Sequence, residues 1–220
     1  MKTKKYQAAL FDLDGVLVDT TRYHYTALKN LADQYGFDFS EKDNERFKGI
    51  SQARALDNLF EFGGIKVDDF TKARLLAQKQ VEYISFIEKL DGTDLFPGAK
   101  ECLQSLRARG VKIALGSSGK HARMILEKLE ILALFDALID GNKVTKTKPD
   151  PQVFLLGAEA LGVSAVECVV FEDAVAGVQA AKAVGMFAVG IGQPEILSLA
   201  DIVVAGLYEF DVDTFFLGSQ

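Results

Sequence analysis

The chain of 220 residues has little cysteine, no excess of positive charge and no long apolar run. Its two cysteines, Cys102 and Cys168, stand in apolar patterns without a Cys-x-x-Cys spacing or a neighbouring histidine, so we expect buried free thiols rather than a disulfide or a zinc site. The net charge of -6 argues against nucleic acid or an anionic membrane surface as a partner. No apolar run approaches the roughly 18 residues that a membrane span needs.

The N-terminal residues also lack the pattern of a secretory signal. Residues 1–5 include three lysines and are followed, before the first acidic residue, by an apolar run that extends only from Ala8 to Phe11. That run is shorter than the apolar region of a signal peptide, so we expect a cytoplasmic protein. With 49% hydrophobic and 25% charged residues, the composition is typical of a globular chain that can bury an α/β core together with a small inserted domain.

The apolar residues Ala8 to Phe11 lead directly into two carboxylates, Asp12 and Asp14. This pattern predicts a strand buried on both faces that carries its charges at its carboxyl end, where open α/β sheets bind ligands. Carboxylates so close repel each other unless a divalent cation or a shared proton separates them. The pair therefore suits a nucleophile and a general acid/base, whereas a solvated Asp-Gly turn ending at Gly15 is the alternative for an isolated pattern.

The rest of the chain is organised in two different ways. From about residue 17 to 90 the apolar spacing is helical, and we expect helices over residues 20–35, from Ser51 to Gly63, and over residues 68–90. Asp19 or Thr20 is expected to cap the first of these helices. The third is predicted to pack through a face that carries Phe70, Ala73, Ala77, Val81, Ile84 and Ile87.

Beyond residue 91, short apolar runs alternate with helical patterns of about ten residues. This alternation predicts an α/β fold with a doubly wound parallel sheet, to which the first strand also belongs. Residues 1–16 and 91–220 are thus predicted to form the α/β core, and residues 17–90 to form a helical cap inserted over its carboxyl edge. The predicted strands cover residues 8–11, 111–115, 137–139, 168–171, 187–191 and 201–204.

Three more polar groups follow predicted elements of this sheet. Ser117 ends the second strand, where its hydroxyl and the first amides of the next helix would bind a phosphate; Ser117 is equally suited to capping that helix. Lys148 lies in a Lys-Pro-x-Pro sequence, and its ammonium group would neutralise a phosphate and a nearby carboxylate, whereas Lys146 is expected to be solvated.

Glu172 and Asp173 end a further strand. If that strand lies beside the first one, the two acids join Asp12 around one cation, and a ligand set of oxygen atoms alone favours Mg²⁺. A lone Glu-Asp pair at this place would instead complement the dipole of the helix that follows.

These motifs resemble those of the haloacid dehalogenase (HAD) superfamily, in its β-phosphoglucomutase-like branch. Residues 11–20, Phe-Asp-Leu-Asp-Gly-Val-Leu-Val-Asp-Thr, match the first motif of the superfamily, and Ser117 and Lys148 match the second and third. The fourth motif is matched by the Glu-Asp pair at residues 172–173. The four motifs occur in the family's order over almost the whole chain.

The resemblance implies phosphoryl transfer through an aspartyl phosphate. Asp12 would attack phosphorus, while Asp14 protonates the leaving oxygen and later deprotonates the acceptor. Lys148, Ser117 and Mg²⁺ would stabilise the equatorial oxygens of the phosphoryl group. The metal ligands implied are the side chains of Asp12, Glu172 and Asp173 and the backbone carbonyl of Asp14.

The branch also implies residues that bind a small phosphorylated sugar. Thr20 and His24 match its hinge region and are added to the catalytic set. Residues 48–51 match its substrate-specificity loop, and Lys79 matches a lysine of its cap. The substrate-binding set that follows is Lys48, Gly49, Ser51, Gln52, Arg54, Lys79, Ser118 and Lys120.

Gln52 departs from the branch, because it stands where the branch has an arginine that holds the substrate's second phosphate. Arg54 is close in sequence, but two positions round a helix point it roughly the opposite way. Gly119 and His121 also replace the serine and asparagine expected around Lys120. A β-phosphoglucomutase that acts as a monomer is the first hypothesis, a sugar-phosphate phosphatase the second, and a non-catalytic phosphosugar sensor the third.

Overall fold

The computed structural model describes residues 6–47 and 52–216, except for the side chain of residue 45. The chain divides into two compact units. One unit consists of Met1–Asp19 and Leu90–Gln220 and is called here the sheet unit; the other, Thr20–Lys89, is called the helical unit. In the described part of the chain, no helix is both long enough and apolar enough to cross a membrane.

The sheet unit contains a six-stranded parallel sheet in the order β3-β2-β1-β4-β5-β6. Each strand lies within one residue of its predicted position. The central strands β1 and β4 are buried on both faces and are therefore continuous apolar runs in the sequence. The doubly wound α/β fold is therefore confirmed. The strands are β1 (Ala8–Phe11), β2 (Lys112–Gly116), β3 (Ala137–Ile139), β4 (Cys168–Glu172), β5 (Phe187–Ile191) and β6 (Ile202–Val204).

Helices flank the sheet within the same unit. β1 is fully buried, and on one of its faces Leu10 packs with Phe154, Val170 and Met186 in an apolar core. Cys102 and Cys168 are buried free thiols, as predicted, and burial raises the pKa of each to about 12. The helices are α5 (Ala99–Ala108), α6 (Ala122–Lys128), α7 (Gln152–Leu161), α8 (Val175–Ala183) and α9 (Val212–Phe215).

The helical unit has its own apolar core, in which Leu28, Phe39, Leu56, Leu59 and Leu75 are buried. The short helix over Glu41–Asn44 was not predicted. Thr20 is the N-cap of α1, as expected for Asp19 or Thr20, but its side chain makes no capping hydrogen bond. The helices are α1 (Thr21–Gln34), α2 (Glu41–Asn44), α3 (Gln52–Phe62) and α4 (Asp69–Ile87).

The predicted packing face of α4 is wrong for its first four residues. Phe70 and Val81 are 81% and 67% exposed, and the alanines between them, at positions 73 and 77, are exposed as well. Of the predicted face only Ile87 is buried and Ile84 is half-buried, because the buried residues are spaced by four along the helix, namely Leu75, Lys79, Tyr83 and Ile87. Apolar residues occur on two sides of this helix, and the side with the larger side chains removes more apolar area from water than the side with alanines.

Candidate active site

The carboxyl ends of β1, β2 and β4 bring the predicted motifs to one edge of the sheet. Phe11 pairs in register with Leu115 of β2 and with Phe171 of β4. The amide of Asp12 donates to the carbonyl of Phe171 at 3.0 Å, so Asp12 leaves the sheet beside Glu172. The strand order thus places residues from distant parts of the sequence next to each other.

Lys148 lies between two of these carboxylates. Its Nζ is 2.6 Å from Asp12 Oδ1 and 2.7 Å from Glu172 Oε2, and it lies 4.7 Å from the centroid of the Phe154 ring. Burial alone lowers the pKa of Lys148, but the charges of Asp12 and Glu172 outweigh that effect and raise the pKa. Lys148 therefore carries a charge in a largely buried position, whereas Lys146 on the same loop is exposed, as predicted, and pairs with Asp150 at 3.2 Å.

Asp12, Glu172 and Asp173 each offer a carboxylate oxygen, and these oxygens lie within 4.8 Å of one another. Burial raises the pKa of Glu172 and of Asp173, and the nearby charge of Asp12 raises both further although Lys148 opposes it. A divalent cation would relieve this repulsion, and a set of oxygen ligands suits Mg²⁺. The residues present therefore fit such an ion.

Two glycines allow the acidic residues to pack closely. Gly15 has a φ of +81°, and a Cβ at that position would collide with the carboxylate of Asp173. A Cβ at Gly177 of α8 would collide with the carboxylate of Glu172 in the same way. The sequence predicted a tight turn at Gly15, but only the fold reveals that Gly15 lies against Asp173.

Asp14 lies in the turn that follows β1. The turn is closed by the amide of Gly15, which donates to the carbonyl of Val18 at 2.9 Å, while Leu13 is fully buried, as predicted. Asp14 is half-buried and pairs with Val18 in an isolated β-bridge. Its roles in proton transfer and in metal binding stay predictions.

Ser117 is 2% exposed and follows β2 directly. Its Oγ accepts a hydrogen bond from the amide of Gly119 at 3.0 Å, and α6 begins only at Ala122. Ser117 is therefore not the N-cap of α6, and the amides close to it belong to the loop of residues 117–120 rather than to a helix. Ser118 and Lys120 are exposed on this loop.

A second loop, residues 140–142 after β3, holds loop 117–120 and was missed by sequence reasoning. The amide of Gly141 donates to the carbonyl of Gly119 at 3.0 Å, and Nδ2 of Asn142 donates to the carbonyl of Lys120 at 2.9 Å. The sequence Asp-Gly-Asn at the end of a strand indicates a turn. It does not reveal which other loop that turn contacts.

Thr20 and His24 both contact Tyr83 within the helical unit. Thr20 Oγ1 and the hydroxyl of Tyr83 are 3.1 Å apart and share a hydrogen bond, and the ring of His24 stacks on that of Tyr83 with centroids 4.2 Å apart. Both predicted residues are thus fixed against the same tyrosine of α4.

Gln52 and Lys79 form a polar contact between α3 and α4. Nζ of Lys79 donates to Oε1 of Gln52. Lys79 is only 4% exposed, and burial lowers its pKa to about 8. Arg54 is exposed on α3. The predicted residues Lys48, Gly49 and Ser51 lie outside the described residues.

The chain is similar to known proteins of the family that the motifs indicate. Residues 6–185 match the haloacid dehalogenase-like hydrolases. The chain is 42% identical to a β-phosphoglucomutase of Bacillus subtilis over 200 residues, which cover 90% of this chain and 88% of that protein. It is 34% identical to a phosphorylated carbohydrates phosphatase of Thermotoga maritima, over 82% of each chain.

A crystal structure of a β-phosphoglucomutase from Clostridium difficile is similar to this fold, with a TM-score of 0.84 and 37% identity over 94% of each chain. Each of these relatives covers most of the chain. The chain belongs to the haloacid dehalogenase-like hydrolases and is an enzyme of phosphoryl transfer.

Proposed function

We propose that the protein is a β-phosphoglucomutase that converts β-glucose 1-phosphate to glucose 6-phosphate. The observation that carries the proposal is the pairing of Asp12 with Lys148 at the carboxyl edge of the sheet, in a chain 42% identical to a β-phosphoglucomutase. An aspartate held against a buried cation is oriented, as a nucleophile must be.

In the proposed reaction, a carboxylate oxygen of Asp12 attacks the phosphorus atom and the bond from phosphorus to the leaving oxygen breaks. Asp14 gives its proton to that oxygen. In the second half, Asp14 takes the proton of the acceptor hydroxyl, the acceptor oxygen attacks the aspartyl phosphate, and the Asp12 carboxylate is restored. Each proton that Asp14 donates is thus returned within the cycle.

Lys148 and Ser117 serve the phosphoryl group itself in this proposal. The ammonium group of Lys148 offsets negative charge beside Asp12, and the hydroxyl of Ser117 is free to donate because its oxygen accepts from Gly119. Both donors would offset the charge on the equatorial oxygens of the phosphoryl group.

We propose that Mg²⁺ is held by the carboxylates of Asp12, Glu172 and Asp173 and by the backbone carbonyl of Asp14. Lys148 donates to Asp12 and to Glu172, and the amide of Ala174 donates to Oε1 of Glu172 at 3.2 Å, so these hydrogen bonds orient two of the carboxylates. When bound, the ion would offset the charge of a phosphate that approaches an acidic site.

A sugar-phosphate phosphatase is the alternative, and Gln52 is the observation that favours it. A bisphosphate intermediate must be held by its distal phosphate in two orientations, and glutamine does not make the charged bidentate contact that arginine makes. Water would then accept the phosphoryl group from Asp12. A phosphosugar sensor is the weakest alternative, because it would not need both Asp12 and Asp14.

The experiment is incubation of the purified protein with β-glucose 1-phosphate, Mg²⁺ and a trace of β-glucose 1,6-bisphosphate. Formation of glucose 6-phosphate supports the mutase, whereas release of inorganic phosphate at a comparable rate would replace it with the phosphatase. Tight binding without turnover would indicate the sensor. Asp12→Asn is the control, because it keeps the shape of the side chain and removes the nucleophile.

A further inference from the structure

We propose that loop 140–142 is a positioning element for phosphate binding, and that Gly141 and Asn142 are its positioning residues. The proposal rests on the proposed function, because it concerns the loop that carries Ser117 and Lys120. Neither residue belongs to the motifs that the sequence analysis identified. They act through loop 117–120 and are not assigned a contact with substrate.

Two hydrogen bonds join the loops at consecutive carbonyl groups. The amide of Gly141 donates to the carbonyl of Gly119 at 3.0 Å, and the side-chain amide of Asn142 donates to the carbonyl of Lys120 at 2.9 Å. The amide of Ser117 also donates to the carbonyl of Ile139 at 2.9 Å, just before loop 140–142. Loop 117–120 is thus held at its start and at its end by the segment that follows β3.

The contact is also close sterically. A Cβ at Gly141 would lie nearer to the carbonyl oxygen of Ser118 than real Cβ contacts allow. Because that oxygen belongs to the backbone, it cannot turn away as the end of a flexible side chain could. Even alanine at position 141 would therefore displace one loop from the other.

Asp140 orients the side chain of Asn142. It is 8% exposed, its Oδ1 accepts from the amide of Asn142 at 3.0 Å, and its Oδ2 accepts from Nδ2 of Asn142 at 3.3 Å. The side-chain amide of Asn142 therefore donates both to Asp140 and to the carbonyl of Lys120. An aspartate of the same shape would lose both donors and place a carboxylate against two acceptors.

The consequence for the reaction follows from what loop 117–120 would bind. Ser117 and Lys120 would contact phosphate oxygens that are present in the substrate as well as in the transition state. Loss of such contacts weakens binding of both and raises KM while kcat changes little. A merely structural defect would lower the active fraction, and therefore kcat, and would leave KM unchanged.

The test compares Asn142→Asp with Lys143→Met in the full-length protein. Lys143 is the matched control. It follows Asn142 directly in the sequence, but its side chain donates to the carbonyl of Leu138 in β3 and not to loop 117–120. We expect Asn142→Asp to raise the KM for p-nitrophenyl phosphate and the inhibition constant of inorganic phosphate about tenfold, with kcat within about threefold. Lys143→Met should leave all three near wild type.

Gly141→Ala is a second variant that disturbs the contact between the two loops, in this case by a steric collision with the carbonyl oxygen of Ser118. It should also raise both constants, and hydrogen exchange of the peptide that covers residues 117–121 should become faster in both variants. Unchanged KM and phosphate inhibition in the folded variants would overturn the proposal. Absence of phosphoryl transfer in the wild-type protein would instead overturn the proposed function, so the two failures are distinguishable.

Discussion

The ammonium group of Lys148 lies 2.6 Å from a carboxylate oxygen of Asp12, although 136 residues separate them along the chain. The contact requires β1 and the loop before α7 to meet at one edge of the sheet. Its effect is to hold the proposed nucleophile beside a cation before any substrate arrives. Such preorganisation is worth more in a buried site than in water, because the local dielectric is lower.

Replacement of Lys148 by methionine should nearly abolish phosphoryl transfer. The variant removes the cation that Asp12 and Glu172 share and one donor for the phosphoryl oxygens, so we expect kcat/KM for p-nitrophenyl phosphate to fall by about 100-fold or more. Lys146→Met is the matched control, since Lys146 is exposed on the same loop. Equal activity of the two variants would contradict the role of Lys148.

Activity should vanish in a chelator and return with Mg²⁺. Three carboxylates lie close together, and Lys148 alone does not balance their negative charge. Mg²⁺ should also raise the Tm, since an ion at 100 times its dissociation constant stabilises the folded state by about 2.7 kcal/mol. Asp173→Asn should weaken both effects, whereas Asp213→Asn, which changes an ion pair with Arg109, should not. Full activity in the chelator would exclude the metal.

Gly15→Ala should impair Mg²⁺ binding more than stability. Alanine at a φ of +81° costs about 1–2 kcal/mol of unfolding free energy, and its Cβ must also displace the carboxylate of Asp173. Gly110→Ala is the control, because Gly110 has a φ of +71° but open space around it. We expect a loss of Tm in both variants, larger for Gly15→Ala, and a higher Mg²⁺ requirement for Gly15→Ala alone. The same requirement in both would contradict the steric argument.

Lys79 should make the free energy of unfolding depend on pH. Its folded pKa of about 8 lies below its ordinary value of 10.5, so the unfolded chain binds more protons between these pH values and stability should rise from about pH 8 to 10.5. Lys79→Met should remove this rise and stabilise the protein at pH 7, by on the order of 1–3 kcal/mol.

Lys72→Met is the control for that measurement. Lys72 pairs with Asp57 at 2.8 Å, and the hydrogen bond to Asp57 raises its pKa. The pair therefore stabilises the folded state at neutral pH, and this stabilisation is lost as pH rises through the folded pKa of Lys72. The free energy of unfolding thus changes with pH in the direction opposite to that expected for Lys79. Chemical denaturation across this pH range measures the free energy of unfolding of each variant. If that free energy depended on pH in the same way in the wild type and in Lys79→Met, the prediction would be refuted.

Gln52→Arg should strengthen binding of a bisphosphate if the protein is a mutase. The new charge-assisted contact would contribute about 1.5–3 kcal/mol, or roughly ten- to a hundredfold in affinity. Binding of acetyl phosphate should change little. Without ligand the variant should have a lower Tm, because arginine cannot accept from Lys79 and adds a second cation beside it.

Calorimetry with β-glucose 1-phosphate and its 1,6-bisphosphate measures the effect. If Arg54 already contacts the second phosphate, Gln52→Arg does nothing and Arg54→Ala lowers the affinity. If neither variant changes mutase turnover while phosphate release from monophosphates stays high, the second phosphate site is absent. The phosphatase would then be the better description.

The strands and their terminal motifs could be predicted because local sequence determines both. A strand buried on two faces needs an unbroken apolar run, and polar residues that follow such a run lie where the strand leaves the core. Asp12, Ser117 and Glu172 each follow or end such a run. Their positions at strand ends therefore needed no knowledge of the strand order.

The contacts across the sequence depended on the tertiary structure. α4 carries apolar residues on two sides, and only its neighbours decide that Leu75 and Tyr83 are buried while Phe70 is exposed. The hydrogen bond between Lys79 and Gln52 and the support of loop 117–120 by loop 140–142 join segments 20 or more residues apart. Local sequence determined which residues end the strands; the packing of those strands and loops decided which of them touch, because contact depends on the whole path of the chain.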